Sequence, residues 1–207
     1  MLVHLRRSLV LATVCLVFFG FVYAFAAVGV SQLLFKNQAN GSLTSNGSTL
    51  IGQNWADAKC PGHPLGSCVF HGRPDDTGPY AANPKADVSG GDNPLIANGV
   101  SGESGATSLG PRSATLKADT QALVKYWHAL GVDPTPDLVT TSGSGYDPDI
   151  SAQDATVQIP MVSKATGIAP SRLRALIGSE TQSAELGFMG TSYIDVLKLN
   201  EALVKLH

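Results

Sequence analysis

The sequence predicts a mixed α/β (α+β) extracytoplasmic domain that is tethered by one N-terminal transmembrane helix. Residues 8–35 form a run without any charged side chain, and a helix needs about 20 apolar residues to cross the bilayer core. The part that follows, about 170 residues, is long enough for one domain with its own hydrophobic core. In that part short β-branched stretches alternate with helical patterns, so we expect short strands and three or four helices.

The charges beside the apolar run predict its orientation. Arg6 and Arg7 precede the run, and after Lys36 no cation follows until Lys59. Positive charge stays on the cytoplasmic side of a membrane, so the domain should lie outside. The predicted order is a cytoplasmic N-terminus, a transmembrane helix, a linker and an extracytoplasmic domain, at residues 1–7, 8–35, 36–48 and 49–207.

A cleaved signal peptide is the alternative interpretation of the same run. Its core would extend from Leu9 to Val22, and Ala24-Phe25-Ala26 fits the small-x-small cleavage pattern. The apolar run continues to Phe35, however, whereas a signal core usually ends after about 7–15 residues. The length of the run therefore favours an uncleaved anchor.

Two small residues mark one face of the predicted span. Gly20 and Ala24 are four residues apart, a spacing that lets a second helix approach closely. Such pairs also arise by chance in a span rich in alanine and glycine. We treat both residues as candidates for contact with a partner helix.

Composition limits the classes of partner. The chain after residue 35 carries 12 Lys or Arg and 16 Asp or Glu, so it is mildly acidic. Nucleic-acid binding needs a basic stripe or patch, and the sequence has none. We expect lipid and protein partners instead.

Two of the three cysteines lie close together after the apolar run. Cys60 and Cys68 favour a disulfide if the domain is in an oxidising compartment. Free thiols are a second possibility. A third is a zinc site, because Cys60, His63, Cys68 and His71 follow the spacing C-x2-H-x4-C-x2-H. Cys15 lies inside the apolar run and is interpreted as a small apolar residue.

Start and stop signals predict the first two helices of the domain. Apolar residues recur at helical spacing from Leu116 to Leu130, and Gly131 and Pro134 end that helix. Ser151, with Asp154 three residues later, predicts the capped start of a second helix.

The remaining elements are shorter. A helix is expected to begin at Pro170-Ser171, and a closing helix is expected over Asn200–Leu206 with Asn200 as its cap. Residues 75–112 show almost no periodicity and are predicted to form an ordered loop. Short strands are predicted at Thr49–Ile51, Val69–Pro74, Leu138–Thr141 and Tyr193–Leu197.

A glycine-rich turn is the one candidate for nucleotide contact. Ser142, Gly143, Ser144 and Gly145 could form an anion-binding nest of backbone N–H groups. The alternative is a tight connection that needs glycine and capping serines. The sequence contains no G-x-x-x-x-G-K-[ST] phosphate loop, and a position outside the membrane would separate this turn from cytoplasmic ATP.

Several motifs occur in one order along the whole chain. They are Asn40-Gly-Ser-Leu, Gly47-Ser-x-Leu-Ile-Gly-Gln, Phe70-His-Gly-Arg-Pro, Ser108-Leu-Gly-Pro, Asp137-Leu-Val-Thr-x-Ser-Gly-Ser-Gly-x-Asp-Pro-x-Ile-Ser, Gln158-Ile-Pro-x-Val and Leu199-Asn-x-Ala-Leu-x-Lys-Leu. In this combination the chain resembles the KdpC family, the C subunits of the bacterial Kdp potassium-transporting P-type ATPase. The insert at Cys60–Cys68 is not part of that pattern.

The resemblance implies a non-catalytic subunit of the cell (inner) membrane. In that family a channel-like partner carries potassium and a P-type partner hydrolyses ATP. The C subunit is described as a catalytic chaperone that stabilises the assembly and raises ATP affinity. The chain itself would then hold no cofactor firmly, and ATP would act through the complex.

Partner contact is expected at polar residues of these motifs as well as in the span. Gln53, Arg73 and Asp147, with the turn from Ser142, are the candidates in the domain. Arg73 could bind a partner's carboxylate in a bidentate fork, or it could form an ion pair within the domain.

Two other function classes stay open from the sequence alone. An extracytoplasmic module that binds a small ligand could use the 75–112 loop to line its site. A hydrolase is the weaker alternative, because the sequence has no G-x-S-x-G elbow and no spacing that singles out a triad.

Overall fold

The computed structural model describes residues 2–53, 55, 58–74, 107–145, 147–184 and 186–206. It divides into two compact units, Met1–Ser45 and Asn46–His207. The predicted loop at 75–112 lies outside the described residues except for its last part, from Thr107 onward.

The first unit is helical. It consists of α1, a π-helical turn, α2 and the single turn α3, at Leu2–Val17, Phe18–Val22, Tyr23–Leu34 and Lys36–Ala39. Within the described residues, Leu2–Leu34 is one continuous helix long and apolar enough to cross a membrane. The prediction of a single N-terminal apolar helix is therefore confirmed.

The serine and threonine hydroxyls of this helix are paired along its own backbone. The side chains of Ser8, Thr13 and Ser31 each donate to the carbonyl four residues earlier, at 2.7–3.0 Å. Unpaired polar groups are costly in hydrocarbon, so this pairing lets hydroxyl residues lie in an apolar helix.

The second unit contains four helices and two very short strands among its described residues. The helices are α4 (Ala114–Ala129), α5 (Ala152–Thr166), α6 (Pro170–Glu180) and α7 (Val196–Val204). Strands β1 (Asp149–Ile150) and β2 (Ile194–Asp195) pair antiparallel, with Asp149 opposite Asp195 and Ile150 opposite Ile194. The mixed fold class is thus confirmed in its coarse form, with more helix than strand.

Local capping chemistry explains where two helices begin and end. Ser151 and Asp154 form a full capping box at the start of α5, since each side chain accepts the other's backbone N–H. Ser113 caps α4, and Gly131, with φ +77°, follows its end. The predicted helices at 116–130 and from Ser151 are confirmed, as is the start at Pro170.

The core gathers apolar side chains from the four helices and the loops between them. Phe70, Trp127 and Leu138 are fully buried, and α5 packs against α6, which also contacts α7. The indole N–H of Trp127 donates to the Leu138 carbonyl at 2.9 Å. This bond satisfies the polar atom of a large buried aromatic residue.

The strand predicted at Leu138–Thr141 is wrong. Asp137–Val139 is a 3-10 turn instead, and it begins directly after Pro136, whose φ is −54°. Leu138 and Val139 are buried in this turn. Proline fixes a backbone angle suited to a turn, which outweighs the β preference of the valine and threonines.

The element boundaries near the C-terminus also differ from the prediction. Strand β2 has only two residues, and α7 begins at Val196 rather than at Asn200. Asp195 is the cap of α7, accepting the Lys198 N–H at 3.0 Å. Asn200 lies inside α7 and is 2% exposed, so it serves the core and does not cap the helix.

Neither of the two remaining predicted strands forms. At Thr49–Ile51 the chain turns, and the Leu50 N–H donates to the Ser48 hydroxyl. Phe70 and His71 lie in an irregular segment whose backbone groups pair with side chains rather than with a strand. Phe70 of the second segment is fully buried, although the segment is not a strand.

Candidate functional site

Arg73 contacts the segment from Asp137 to Asp147, which forms a separate motif in the sequence. Its Nη2 donates to the Thr141 carbonyl at 2.9 Å, and Nε and Nη2 lie 3.4 Å from the Thr140 carbonyl. Its Nη1 lies 3.9 Å from Asp137 Oδ1 and 4.0 Å from Asp147 Oδ2. We call these five residues the Arg73 junction. The structure thus brings together the candidates Arg73 and Asp147.

The junction is partly buried and carries excess negative charge. The side chain of Arg73 is 24% exposed, against 52% for Asp137 and 32% for Asp147. Both ion pairs are at the long limit for such contacts, so the carbonyl hydrogen bonds fix the guanidinium more than the carboxylates do. The contacts seen here are within the domain, and a partner's carboxylate at Arg73 stays a prediction.

The Ser142–Gly145 turn follows the junction directly. The Gly145 N–H donates to the Ser142 hydroxyl at 3.0 Å and lies 3.3 Å from the Ser142 carbonyl. The Ser142 and Ser144 hydroxyls are 3.1 Å apart, and Gly145 has φ +72°. One N–H of the predicted nest is therefore used inside the turn, as in a tight connection that requires glycine.

Three carboxylates lie near the paired strands. The pKa of Asp149 is raised to about 6, mainly by burial and also by the charges of Asp147 and Asp195, while Lys198 opposes the shift. The Asp149 N–H donates to Asp147 Oδ1 at 3.1 Å. Among the residues that the structure describes, no three His, Cys, Asp or Glu side chains are arranged to hold a metal ion.

The cysteine loop closes through a disulfide. Cys60 and Cys68 are bonded, with their Cα atoms 5.6 Å apart. The buried His71 ring donates from Nε2 to the Gly66 carbonyl at 2.7 Å. Both sulfurs and this ring nitrogen are thus occupied, and the four residues of the zinc alternative do not form a metal site here. The disulfide closes the loop, and the bond from His71 to Gly66 attaches the loop to the core.

Burial determines the charge state of His71. Desolvation lowers its pKa to about 4, and the hydrogen bond to Gly66 opposes that shift. Its ring contacts the Trp127 ring edge-on, with centroids 5.4 Å apart. The imidazole is consequently neutral at pH 7 and acts as a packed donor rather than as an acid or base.

Two amide side chains hold the Phe70–His71 segment. Gln158 exchanges two hydrogen bonds with the backbone of His71, and Asn200 exchanges two with that of Phe70, all at 2.8–3.0 Å. Both amides are buried, at 0% and 2% exposure. We did not predict these roles from the sequence. The available signal was a polar residue at a core position of an apolar helical pattern.

The other candidates for partner contact, Gln53, Gly20 and Ala24, do not belong to the Arg73 junction. Gln53 packs against Gly47 so closely that a Cβ added there would lie 1.7 Å from Gln53 Nε2. Gly20 lies within the π turn, and a Cβ on it would meet nothing within 4 Å. Ala24 follows in α2 and is exposed. Among the residues that the structure describes, none packs against Gly20, and contact of this face with a partner helix stays a prediction.

Comparison with known proteins assigns the chain to a family. The family model described as KdpC: K+-transporting ATPase, c chain, matches residues 5–205. A potassium-transporting ATPase KdpC subunit of Methylobacterium nodulans is 38% identical over 213 residues, covering 100% of this chain and 98% of the relative. KdpC subunits of Methylorubrum extorquens and Caulobacter vibrioides are each 39% identical to this chain. The matches cover 98% of the first relative and 93% of the second. With a family match over both the apolar helix and the folded unit, the chain belongs to the KdpC family, the c chains of K+-transporting ATPases.

Proposed function

We propose that this chain is a non-catalytic subunit of an ATP-driven, high-affinity potassium uptake complex. The observation that carries the proposal is the family match over residues 5–205, which includes the apolar helix and the domain. In this proposal potassium is carried by a channel-like partner, and ATP is hydrolysed by a P-type partner. The chain contributes protein contacts rather than reacting groups.

The proposed topology places the N-terminus inside and the domain outside a bacterial inner membrane. The helical stretch from Ser8 to Leu34 is about 40 Å long at a rise of about 1.5 Å per residue, enough for a tilted span of a ~30 Å core. Arg6 and Arg7 precede this stretch within α1. Their charge favours the cytoplasmic side.

We further propose that the subunit stabilises the assembly and raises the ATP affinity of the P-type partner indirectly. Support comes from the Ser142–Gly145 turn, where the Gly145 N–H is bonded to the Ser142 hydroxyl. A phosphate bound in that turn would have to replace this internal bond. Direct binding of ATP by this turn is therefore the weaker form of the proposal.

The contacts proposed for assembly have two parts. Gly20 and Ala24 offer a small-residue face to a partner helix in the membrane. The Arg73 junction and Gln53 shape a polar surface of the domain for a partner outside. The side chain of Arg73 is 24% exposed, so the junction can serve both the fold and a contact.

A purification from mildly solubilised membranes tests the proposal. A C-terminally tagged chain should recover a large channel-like subunit and a P-type ATPase, and omitting the chain should raise the KM for ATP of the remaining complex. If the chain is recovered alone and lacks its first 26 residues, it is a secreted domain. A small-ligand-binding module would then replace the transport proposal.

A further inference from the structure

The loop between α6 and β2 exposes an apolar tip, which we define as Leu186, Phe188 and Met189. Their side chains are 80%, 77% and 54% exposed. Buried apolar residues elsewhere in the unit pack into one core. Burying such side chains is favourable, so an exposed cluster of three on one loop indicates a binding surface.

Backbone pairing holds the base of the loop that carries the tip. Gln182 and Tyr193 pair through two backbone hydrogen bonds of 2.8 and 3.1 Å, and the Tyr193 hydroxyl donates to Gln182 Oε1 at 3.1 Å. Strand β2 begins at the next residue and pairs with β1. The loop is thus anchored at its base while its tip projects from the fold.

The backbone of the tip is in an unfavourable conformation at Leu186. Leu186 has φ +52°, a value that bulky residues rarely adopt, whereas Gly187 and Gly190, with φ +80° and +81°, adopt such values readily. Such conformations persist where a function requires them. Here the turn leaves three large apolar side chains exposed.

The size of the tip favours a lipid surface over a protein. Three side chains of this kind expose about 400 Å², roughly half of the ~800 Å² that each partner buries in a standard protein interface. Residues 186–193 carry no charge, so their own insertion costs no ion desolvation; Glu185, which precedes Leu186 in the sequence, is the nearest charged residue of the loop. A tethered domain also needs little affinity, because attachment to a membrane helix raises its local concentration at the surface.

We propose that Leu186, Phe188 and Met189 insert into the headgroup region of the bilayer in which the same chain is anchored. This contact restricts how the domain is oriented over the membrane. The inference rests on the proposed membrane anchoring, and resistance of the reconstituted chain to an alkaline carbonate wash tests that anchoring separately.

The test uses the full chain in vesicles of phosphatidylethanolamine and phosphatidylglycerol. With Cys15→Ala as background, an environment-sensitive fluorophore is attached at Met189→Cys, and at Asp133→Cys as a matched control on a fully exposed side chain. We expect nitroxide groups on the lipids to quench the label at 189 at least about twofold more strongly than the label at 133. Phe188→Asp in the first background should abolish the difference.

Two outcomes would overturn the inference. One is equal quenching at both positions, with the label at 189 open to aqueous iodide. The other is shielding of residue 189 that appears only when transporter subunits are present, without quenching from the lipid; a protein would then be the occupant. Unchanged tryptophan emission in each variant, to which Trp55 and the buried Trp127 contribute, shows that the fold is intact.

Discussion

The Gln158 side chain pairs with the backbone of His71 as a neighbouring strand would. It accepts the His71 N–H at 2.8 Å and donates to the His71 carbonyl at 3.0 Å. Asn200 does the same for Phe70, at 2.8 Å for both bonds. The loop segment is thereby fixed between α5 and α7 without a sheet. Arg73 follows two residues after His71, so the same bonds position it at its junction.

Gln158→Met should destabilise the domain because it leaves a buried N–H and a buried carbonyl of His71 unpaired. We expect the free energy of unfolding to fall by about 2–4 kcal/mol. Urea denaturation followed by tryptophan fluorescence, to which Trp55 and the buried Trp127 contribute, measures this. Gln121→Met on the exposed face of α4 is the matched control, and an equal loss there would contradict the assignment.

Acid should weaken the fold through His71. Its pKa is about 4 in the fold and 6.5 when unfolded, so its neutral form is favoured by folding. Its contribution is complete above pH 6.5 and is lost as pH falls toward 4, amounting to about 3 kcal/mol. His71→Gln should flatten the pH dependence of stability in this window. A slope that survives the substitution would show that another group titrates.

Asp149→Asn should stabilise the domain at pH 7. Burial and neighbouring carboxylates raise the pKa of Asp149 from 3.8 to about 6, so its charged form is disfavoured by folding. Its stability contribution is present at low pH and is lost as pH rises from 3.8 to 6. Because the group is half-buried, we expect a gain of about 1 kcal/mol.

The pH dependence of this gain in stability provides its control. The difference between wild type and Asp149→Asn should vanish below pH 3.8, where the carboxyl is neutral in both states. Asp133→Asn, at a fully exposed side chain, should not alter stability comparably. A gain that is the same at all pH values would have a cause other than charge.

Removing the disulfide should lower the stability of the domain without changing its fold. Replacing both Cys60 and Cys68 by serine releases a short loop, for which chain entropy predicts a loss of about 2–3 kcal/mol. Thermal unfolding with and without a thiol reductant measures it. Cys15→Ala should leave the midpoint unchanged, and a reductant should have no effect on the double variant.

Arg73→Ala should affect both the fold and the assembly. Loss of the hydrogen bond to Thr141 and of two long ion pairs should lower the free energy of unfolding by about 1–2 kcal/mol. Recovery of the transporter subunits with a tagged chain should fall several-fold. Arg73→Lys retains the charge and isolates the role of the guanidinium fork. Full recovery of partners with Arg73→Ala would remove this residue from the interface.

Local signals explain which parts of the fold were predictable. Ser151 with Asp154, and the glycine at 131, act within a few residues, so their spacing predicts α5 and the end of α4. The apolar helix depends only on composition and length. Each of these features is determined by chain neighbours.

Long-range pairing explains what was not predictable. Gln158 and Asn200 bond to residues 87 and 130 positions away, and Arg73 bonds 68 positions away. Nothing in the local pattern shows that an irregular segment will be paired by amide side chains. The strand preference near Leu138 was outweighed by its neighbour Pro136, whose φ suits a turn, and the Trp127 N–H then pairs with the Leu138 carbonyl in that turn.

The bonds between Phe70 and Asn200 also order events during synthesis. They join residues 130 positions apart, so this part of the core cannot form until α7 has left the ribosome. At about 5–20 residues per second, that interval lasts roughly 7–26 seconds. During it the nascent domain exposes apolar surface, which creates a period in which chaperones can bind before the core closes.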